Sequence, residues 1–266
     1  MRVFTILATV ALLVPMTSGA QVKDRLDRRD KLLGWEAVGR LDGPHGHCTA
    51  ALITRDVALT AAHCVAGKGT GFVFRAGYRD GSAIASRSVV DLVLADGYLD
   101  AVARRDRGQA IALDVALVRL SSAIYDPGAN PYEIAAPPRL GGQLTLASYG
   151  QGRLEALTLE RGCALKKRYR DGVVGFDCDA TFGSSGAPVF TKVGDRFRIF
   201  SVVSSGTVDE GLPKETLGME LSAIVPQMLE TLRNRRALAP ISNGARRIGV
   251  GQGMSGGARF VRPNGS

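Results

Sequence analysis

Thr60-Ala61-Ala62-His63-Cys64 and Gly183-Ser184-Ser185-Gly186-Ala187-Pro188 are the two stretches on which the reading of this chain turns. The first sets a histidine at the end of a short apolar run and beside a cysteine. The second sets a serine between glycines, whose backbone freedom allows a hydroxyl to be presented on a tight turn. A serine hydroxyl is almost wholly protonated near neutral pH and is a poor nucleophile until a base takes its proton. A histidine suits that task, and a carboxylate is then needed to orient its ring. The chain has three histidines, His45, His47 and His63, and none follows Ser185. That excludes the chain order serine, acid, histidine of the strand-to-helix nucleophile elbow, whose Gly-x-Ser-x-Gly pattern also fails at Ala187. An order of acid, histidine, serine beginning at Asp56 would require alternating strands and long helices. Only one long helical pattern is present, from Leu221 to Arg235.

Working outward, the chain from Trp35 reads as short apolar runs bounded by Gly, Asp and Ser, the signature of an all-β sandwich or barrel. Strands are expected over Glu36 to Leu41, Cys48 to Thr54, Gly71 to Ala76, Arg87 to Leu94 and Asp114 to Leu120. Pro127, Pro131, Pro137 and Pro138 mark a linker. Further strands are expected over Gln143 to Tyr149, Ala156 to Leu165, Val173 to Cys178, Pro188 to Thr191 and Arg198 to Ser204. The helix ends in Arg233, Arg235 and Arg236, cations that suit a helix C-terminus. His45 and His47, flanked by glycines, read as exposed loop residues.

Two further blocks extend the pattern. Cys48-Thr49-Ala50-Ala51-Leu52-Ile53 ends ten residues before His63, and Asp114-Val115-Ala116-Leu117-Val118-Arg119-Leu120 lies between the histidine and serine blocks. With Ser204-Ser205-Gly206 they follow one another in the order histidine, aspartate, serine. In this the chain resembles the trypsin-like, chymotrypsin-fold serine proteases. The resemblance implies an all-β fold of two antiparallel Greek-key barrels with a C-terminal helix: an N-barrel over about 34–126, a C-barrel over about 139–220 and the helix over about 221–235. It implies a serine endopeptidase acting on polypeptides through His63 as base, Asp114 as its orienting acid and Ser185 as nucleophile. The N–H groups of Gly183 and Ser185 would form the oxyanion hole, and substrate would lie along Ser204, Ser205 and Gly206. Asp179, six residues before Ser185, stands at the offset where relatives carry the aspartate that pairs with a basic P1 side chain.

The same resemblance pairs Cys48 with Cys64 and leaves Cys163 to Cys178, although four cysteines allow three connectivities. A zinc site built from His47, Cys48, His63 and Cys64 is the rival, disfavoured because there is no Cys-x-x-Cys. No metal or cofactor is called for. Ser184 replaces the acid that many relatives place before the nucleophile, so the usual activation by a newly cut N-terminus should be absent. The region around Cys178 to Phe182 is similar to the bacterial glutamyl-endopeptidase branch. Val203, however, stands where that branch carries the histidine that reads an acidic P1.

Composition frames these readings. Of 266 residues, 45% are hydrophobic, ample for two small barrels. Arg2, the apolar run Val3 to Pro15 and Ser18-Gly19-Ala20 form a signal peptide over 1–20, implying a secreted or periplasmic enzyme with no spanning segment once it is cleaved. Residues 21–33 are charge-dense and read as an exposed lead-in or a propeptide, with Arg28-Arg29 as a processing site. The peptidase domain is expected over 34–236. Residues 237–266 hold seven glycines, four arginines and no acid, and are expected to be disordered. The net charge of +9 therefore owes much to this end of the chain, which could meet an anionic surface but carries no specific nucleic-acid motif. A binding protein that keeps the protease scaffold without turnover and works through this tail is the competing function.

Overall fold

The computed structural model describes residues 22–206 and 215–238, with side chains as far as Arg235. The expected signal peptide and the Arg-rich tail beyond Leu238 lie outside the described residues; Ala237 and Leu238, expected to begin the tail, end the last helix.

The first half contains an edge strand β1 (Val22–Arg25) and a short helix α1 (Arg29–Leu32), then β2 (Val38–Gly43), β3 (Gly46–Thr54), β4 (Val57–Thr60), α2 (Ala62–Val65), β5 (Val73–Ala76), β6 (Ala85–Leu94), helices α3 (Tyr98–Ala103) and α4 (Arg107–Ala112), and β7 (Ala116–Leu120). Strands β2-β3-β4-β7-β6-β5 close into an antiparallel barrel. Leu41, Leu52, Ala58, Phe74 and Val118 fill its interior, so each strand presents an apolar face inward.

The second half contains β8 (Gln143–Ser148), β9 (Thr158–Arg168), β10 (Val173–Phe176), β11 (Pro188–Val193), β12 (Arg196–Gly206), β13 (Thr216–Met219) and helix α5 (Ile224–Leu238). Here β8-β9-β10-β13-β12-β11 runs as a ring, because β8 also pairs with β9. Leu146, Leu165, Phe176 and Phe200 fill this second barrel, and the Cys163–Cys178 disulfide crosses the same cluster. The expected all-β, two-barrel fold is thus the observed one.

A third apolar cluster lies between the barrels. It joins Leu59 and Leu117 of the first barrel to Leu159, Phe190 and Ile199 of the second, and takes in Val225, Met228 and Leu232 of α5. Trp35 meets Phe190 edge-on at 5.5 Å between ring centroids, and Tyr132 from the linker meets the same ring at 4.6 Å. Helix α5 is held to the first barrel by Arg119, whose guanidinium donates to the Leu232 carbonyl, and by Arg235, which donates to Leu92 O at 2.9 Å.

The charge-dense stretch before Trp35 departs from its exposed reading. Leu26 and Leu32 are fully buried in the inter-barrel cluster, and Val22–Arg25 pairs antiparallel with Arg161–Thr158 of β9. Two apolar residues placed six apart suffice to bury a segment whose other side chains stay in water. Strands β4 and β13, four residues each, and helices α3 and α4, six each, were not expected.

Candidate active site

His63 lies on the single turn of α2, directly after β4, and the Cys48–Cys64 disulfide ties that turn to β3. The two sulfurs that a zinc site would have needed are therefore bonded to each other. Asp114 stands just before β7, which pairs with β4 through Thr60↔Ala116, so barrel register brings the acid beside the histidine. Its carboxylate is almost wholly enclosed and accepts three hydrogen bonds. The His63 backbone N–H donates to Oδ1 at 2.8 Å, His63 Nδ1 meets Oδ2 at 2.6 Å, and Ser204 Oγ donates to Oδ2 at 2.6 Å. Three converging donors satisfy a buried carboxylate and fix its direction. The imidazole keeps 36% of its side-chain surface exposed, open to a reactant while its Nδ1 edge is clamped. Tyr98 of α3 lies close enough to Asp114 to feel its charge. Burial, and secondly that charge, push the Tyr98 hydroxyl up to about 12, so it remains a neutral wall.

Ser185 lies on the turn before β11 of the other barrel, and that turn rests on the first. The Ser185 carbonyl accepts the Thr49 N–H at 2.9 Å, and the Gly186 N–H donates to Val203 O at 2.8 Å. Gly186 has φ +74°, and a Cβ there would stand 2.1 Å from Thr60 Oγ1 and 2.6 Å from Thr49 O. Only glycine lets the serine turn sit directly on Thr60, three residues before His63. The two serines are clearly distinguished. Ser184 is fully buried, accepting the Thr181 N–H at 3.2 Å and donating to Ser148 Oγ at 3.2 Å, whereas Ser185 is partly exposed.

Gly183 has φ +88°, and its α-carbon is pressed on by two groups. A Cβ there would lie 2.5 Å from both His47 Nε2 and Tyr149 O. This corrects the reading of His47 as an exposed loop residue: it is half-buried within β3, and its ring nitrogen meets Tyr149 O at 3.2 Å. His45, at the hairpin tip, is exposed as expected. Thr49, to which its block gave no role, is a hub between the halves. Fully buried, it donates its hydroxyl to Gly183 O at 2.9 Å, accepts the Tyr149 N–H at 3.0 Å, and receives Thr60 Oγ1 on its carbonyl at 2.9 Å.

The remaining expected residues divide. Ser205 and Gly206 lie at the end of β12, in register with Leu217 and Thr216 of β13. Ser204, expected only along a substrate, spends its hydroxyl on Asp114. Asp179 pairs with Lys23 of β1. The Asp179 N–H donates to both carboxylate oxygens of Glu160, at 3.0 and 3.1 Å. Burial raises the Glu160 carboxyl above its ordinary range, partly opposed by that N–H and then by Lys23.

A model of the trypsin-like peptidase domain matches residues 48–196, more than half of the chain. The chain belongs to the trypsin-like peptidase family. Solved structures similar to this trypsin-like peptidase show the same fold at low identity. A Glu endopeptidase superposes with a TM-score of 0.64 at 17% identity, covering 82% of this chain and 98% of that one. A thermostable serine protease, AL20, from an extremophilic microorganism gives 0.59 at 21% identity, covering 75% and 97%. Protease Anisep from Arthrobacter nicotinovorans gives 0.57 at 17%, covering 74% and 94%. No curated protein matches the chain in sequence. No helix among the described residues is long and apolar enough to cross a membrane.

Proposed function

We propose that this trypsin-like peptidase is an extracytoplasmic serine endopeptidase that cleaves polypeptides through Ser185, His63 and Asp114. The observation that supports the reading is the three-donor clamp on Asp114, which includes the 2.6 Å contact with His63 Nδ1, together with a partly exposed Ser185 on the turn that rests on Thr49 and Thr60, its neighbour Ser184 being buried. With Nδ1–H held by Asp114, the other ring nitrogen is the basic one. His63 takes the Ser185 proton as the hydroxyl attacks the scissile carbonyl, then returns it to the leaving amine. Asp114 stabilises the imidazolium that forms between those steps. The tetrahedral oxyanion is met by the N–H groups of Gly183 and Ser185, each such donor contributing about 3 to 4 kcal/mol in comparable sites. Water then releases the acyl group by the same proton relay.

Substrate adds as an antiparallel strand along Ser204–Gly206, whose opposite edge is already paired with β13. Ser184 takes part in neutral hydrogen bonds, so the nucleophile turn requires no newly made α-amino partner. Export by a signal peptide and the two disulfides belong together in this reading, because disulfides persist in oxidising compartments.

A fluorophosphonate probe tests the assignment. Wild type and Ser184→Ala are expected to be labelled and to hydrolyse a casein substrate, while Ser185→Ala does neither. Labelling that survives Ser185→Ala would overturn it.

A further inference from the structure

We infer that Thr49 of β3 is a positioning residue for the serine turn: its hydroxyl holds the backbone so that the N–H groups of Gly183 and Ser185 stay free for a substrate's oxyanion. This rests on the peptidase reading above.

Backbone groups away from water almost always find partners, so those of the four peptide groups from Phe182 to Gly186 can be followed one by one. Phe182 O accepts the Gln151 N–H at 2.6 Å, and Gly183 O accepts the Thr49 hydroxyl at 2.9 Å. Ser184 O accepts the Ala187 N–H at 2.9 Å, and Ser185 O accepts the Thr49 N–H at 2.9 Å. The Ser184 N–H donates to Thr181 O at 2.9 Å and the Gly186 N–H to Val203 O at 2.8 Å. Among the described residues, the N–H groups of Gly183 and Ser185 have no acceptor. Both residues are partly exposed, so those two donors can be reached.

A peptide group is planar and trans, so its C=O and N–H point in opposite directions, and holding one aims the other. The peptide that bears the Ser185 N–H lies between two others, Gly183–Ser184 and Ser185–Gly186, and Thr49 grips both. It grips the second through a backbone N–H that any side chain would leave in place. The first depends on the hydroxyl, which is what threonine adds. That hydroxyl is fully buried and accepts the Tyr149 N–H at 3.0 Å, so its own proton is committed to Gly183 O. Gly183, at φ +88° and without a side chain, is the joint of the turn with most freedom to rotate. Released from Thr49, its carbonyl could swing and carry the neighbouring N–H groups out of line.

Three variants separate the hydroxyl from the shape of the residue. Thr49→Ser keeps the hydroxyl. Thr49→Val keeps the branched shape but leaves Gly183 O and the Tyr149 N–H unpaired; Thr49→Ala, with space for a water, is made beside it in case the valine variant does not fold, and circular dichroism checks each. With a chromogenic peptide substrate, the valine and alanine variants are expected to lower kcat about tenfold or more with KM nearly unchanged, as part of the effect of an oxyanion donor is lost. Thr49→Ser should keep most of the wild-type kcat. A peptide aldehyde, to whose carbonyl carbon Ser185 Oγ adds, and the matching peptide alcohol, which forms no such bond, read the same point without turnover. The aldehyde should bind the valine and alanine variants more weakly than wild type, and the alcohol equally. Unchanged kcat in the valine and alanine variants, a rise in KM in place of the fall in kcat, or an equal loss in Thr49→Ser would overturn the inference. A wild type that takes no fluorophosphonate and cleaves no substrate overturns the peptidase reading and this inference together, whereas a labelled wild type with any of those outcomes overturns this inference alone.

Discussion

Glu160 shows how much of the site depends on side chains that no motif marks. It is a carboxyl raised by burial, and it holds more protons folded than unfolded wherever the pH lies between its ordinary and its raised value. Its contribution to stability is therefore present at low pH and lost as the pH rises through that window, from about 4 upward. Glu160→Gln keeps an acceptor for the Asp179 N–H but cannot titrate. The variant should lose less stability than wild type between about pH 4 and pH 7, read from denaturant midpoints at the two pH values. An identical loss in both proteins would mean that Glu160 is ionised in the folded state without cost. His63, Asp114 and Ser185 were open to proposal from the sequence because the block around each gives it a role. Thr49, Lys23 and Glu160 were not, because their meaning resides in partners far along the chain, such as Gly183 for Thr49 and Asp179 for Lys23.

The segment from α3 to α4 gives the second scale its clearest case. It precedes Asp114 in sequence but reaches the other barrel, where Ile111 and Ala112 pack on Val173 with Leu217 against them. Leu217 is the cross-strand neighbour of Ser205, so α4 supports from outside the strand pair that would receive substrate. Ile111→Ala should remove about 2 kcal/mol of stability, at the low end for such truncations because the cluster is small. It should raise KM several-fold while leaving kcat nearly unchanged, since the clamp on Asp114 does not include Ile111. A fall in kcat with KM constant would place the effect on the proton relay instead. Elements of this length escape sequence reading for physical reasons. Six-residue helices show too few turns for a period to emerge, and β4, buried at every position, shows no alternation. The long α5 and the strands of five or more residues carry enough pattern to be seen. The N-terminal strand was hidden by its charges, since two buried leucines hold it down.

Across the whole molecule, the clamp on Asp114 draws Ser204 from the second barrel, and the serine turn rests on Thr49 and Thr60 of the first. Neither barrel contains a working set of groups. This has a meaning in time as well as in space. On the proposed function, a chain emerging from its N-terminus completes the first barrel while Ser185 is still unfolded or unmade, and the serine becomes nucleophilic only when the second barrel closes and docks. The peptidase should therefore be harmless to itself until both barrels have formed. In refolding, fluorophosphonate labelling should lag behind the recovery of β-sheet circular dichroism and keep pace with burial of Trp35 at the seam between the barrels. Labelling that precedes Trp35 burial would show a site competent before docking. A division of the proposed machinery between two halves would thus work as a clock, delaying the onset of chemistry until folding is finished.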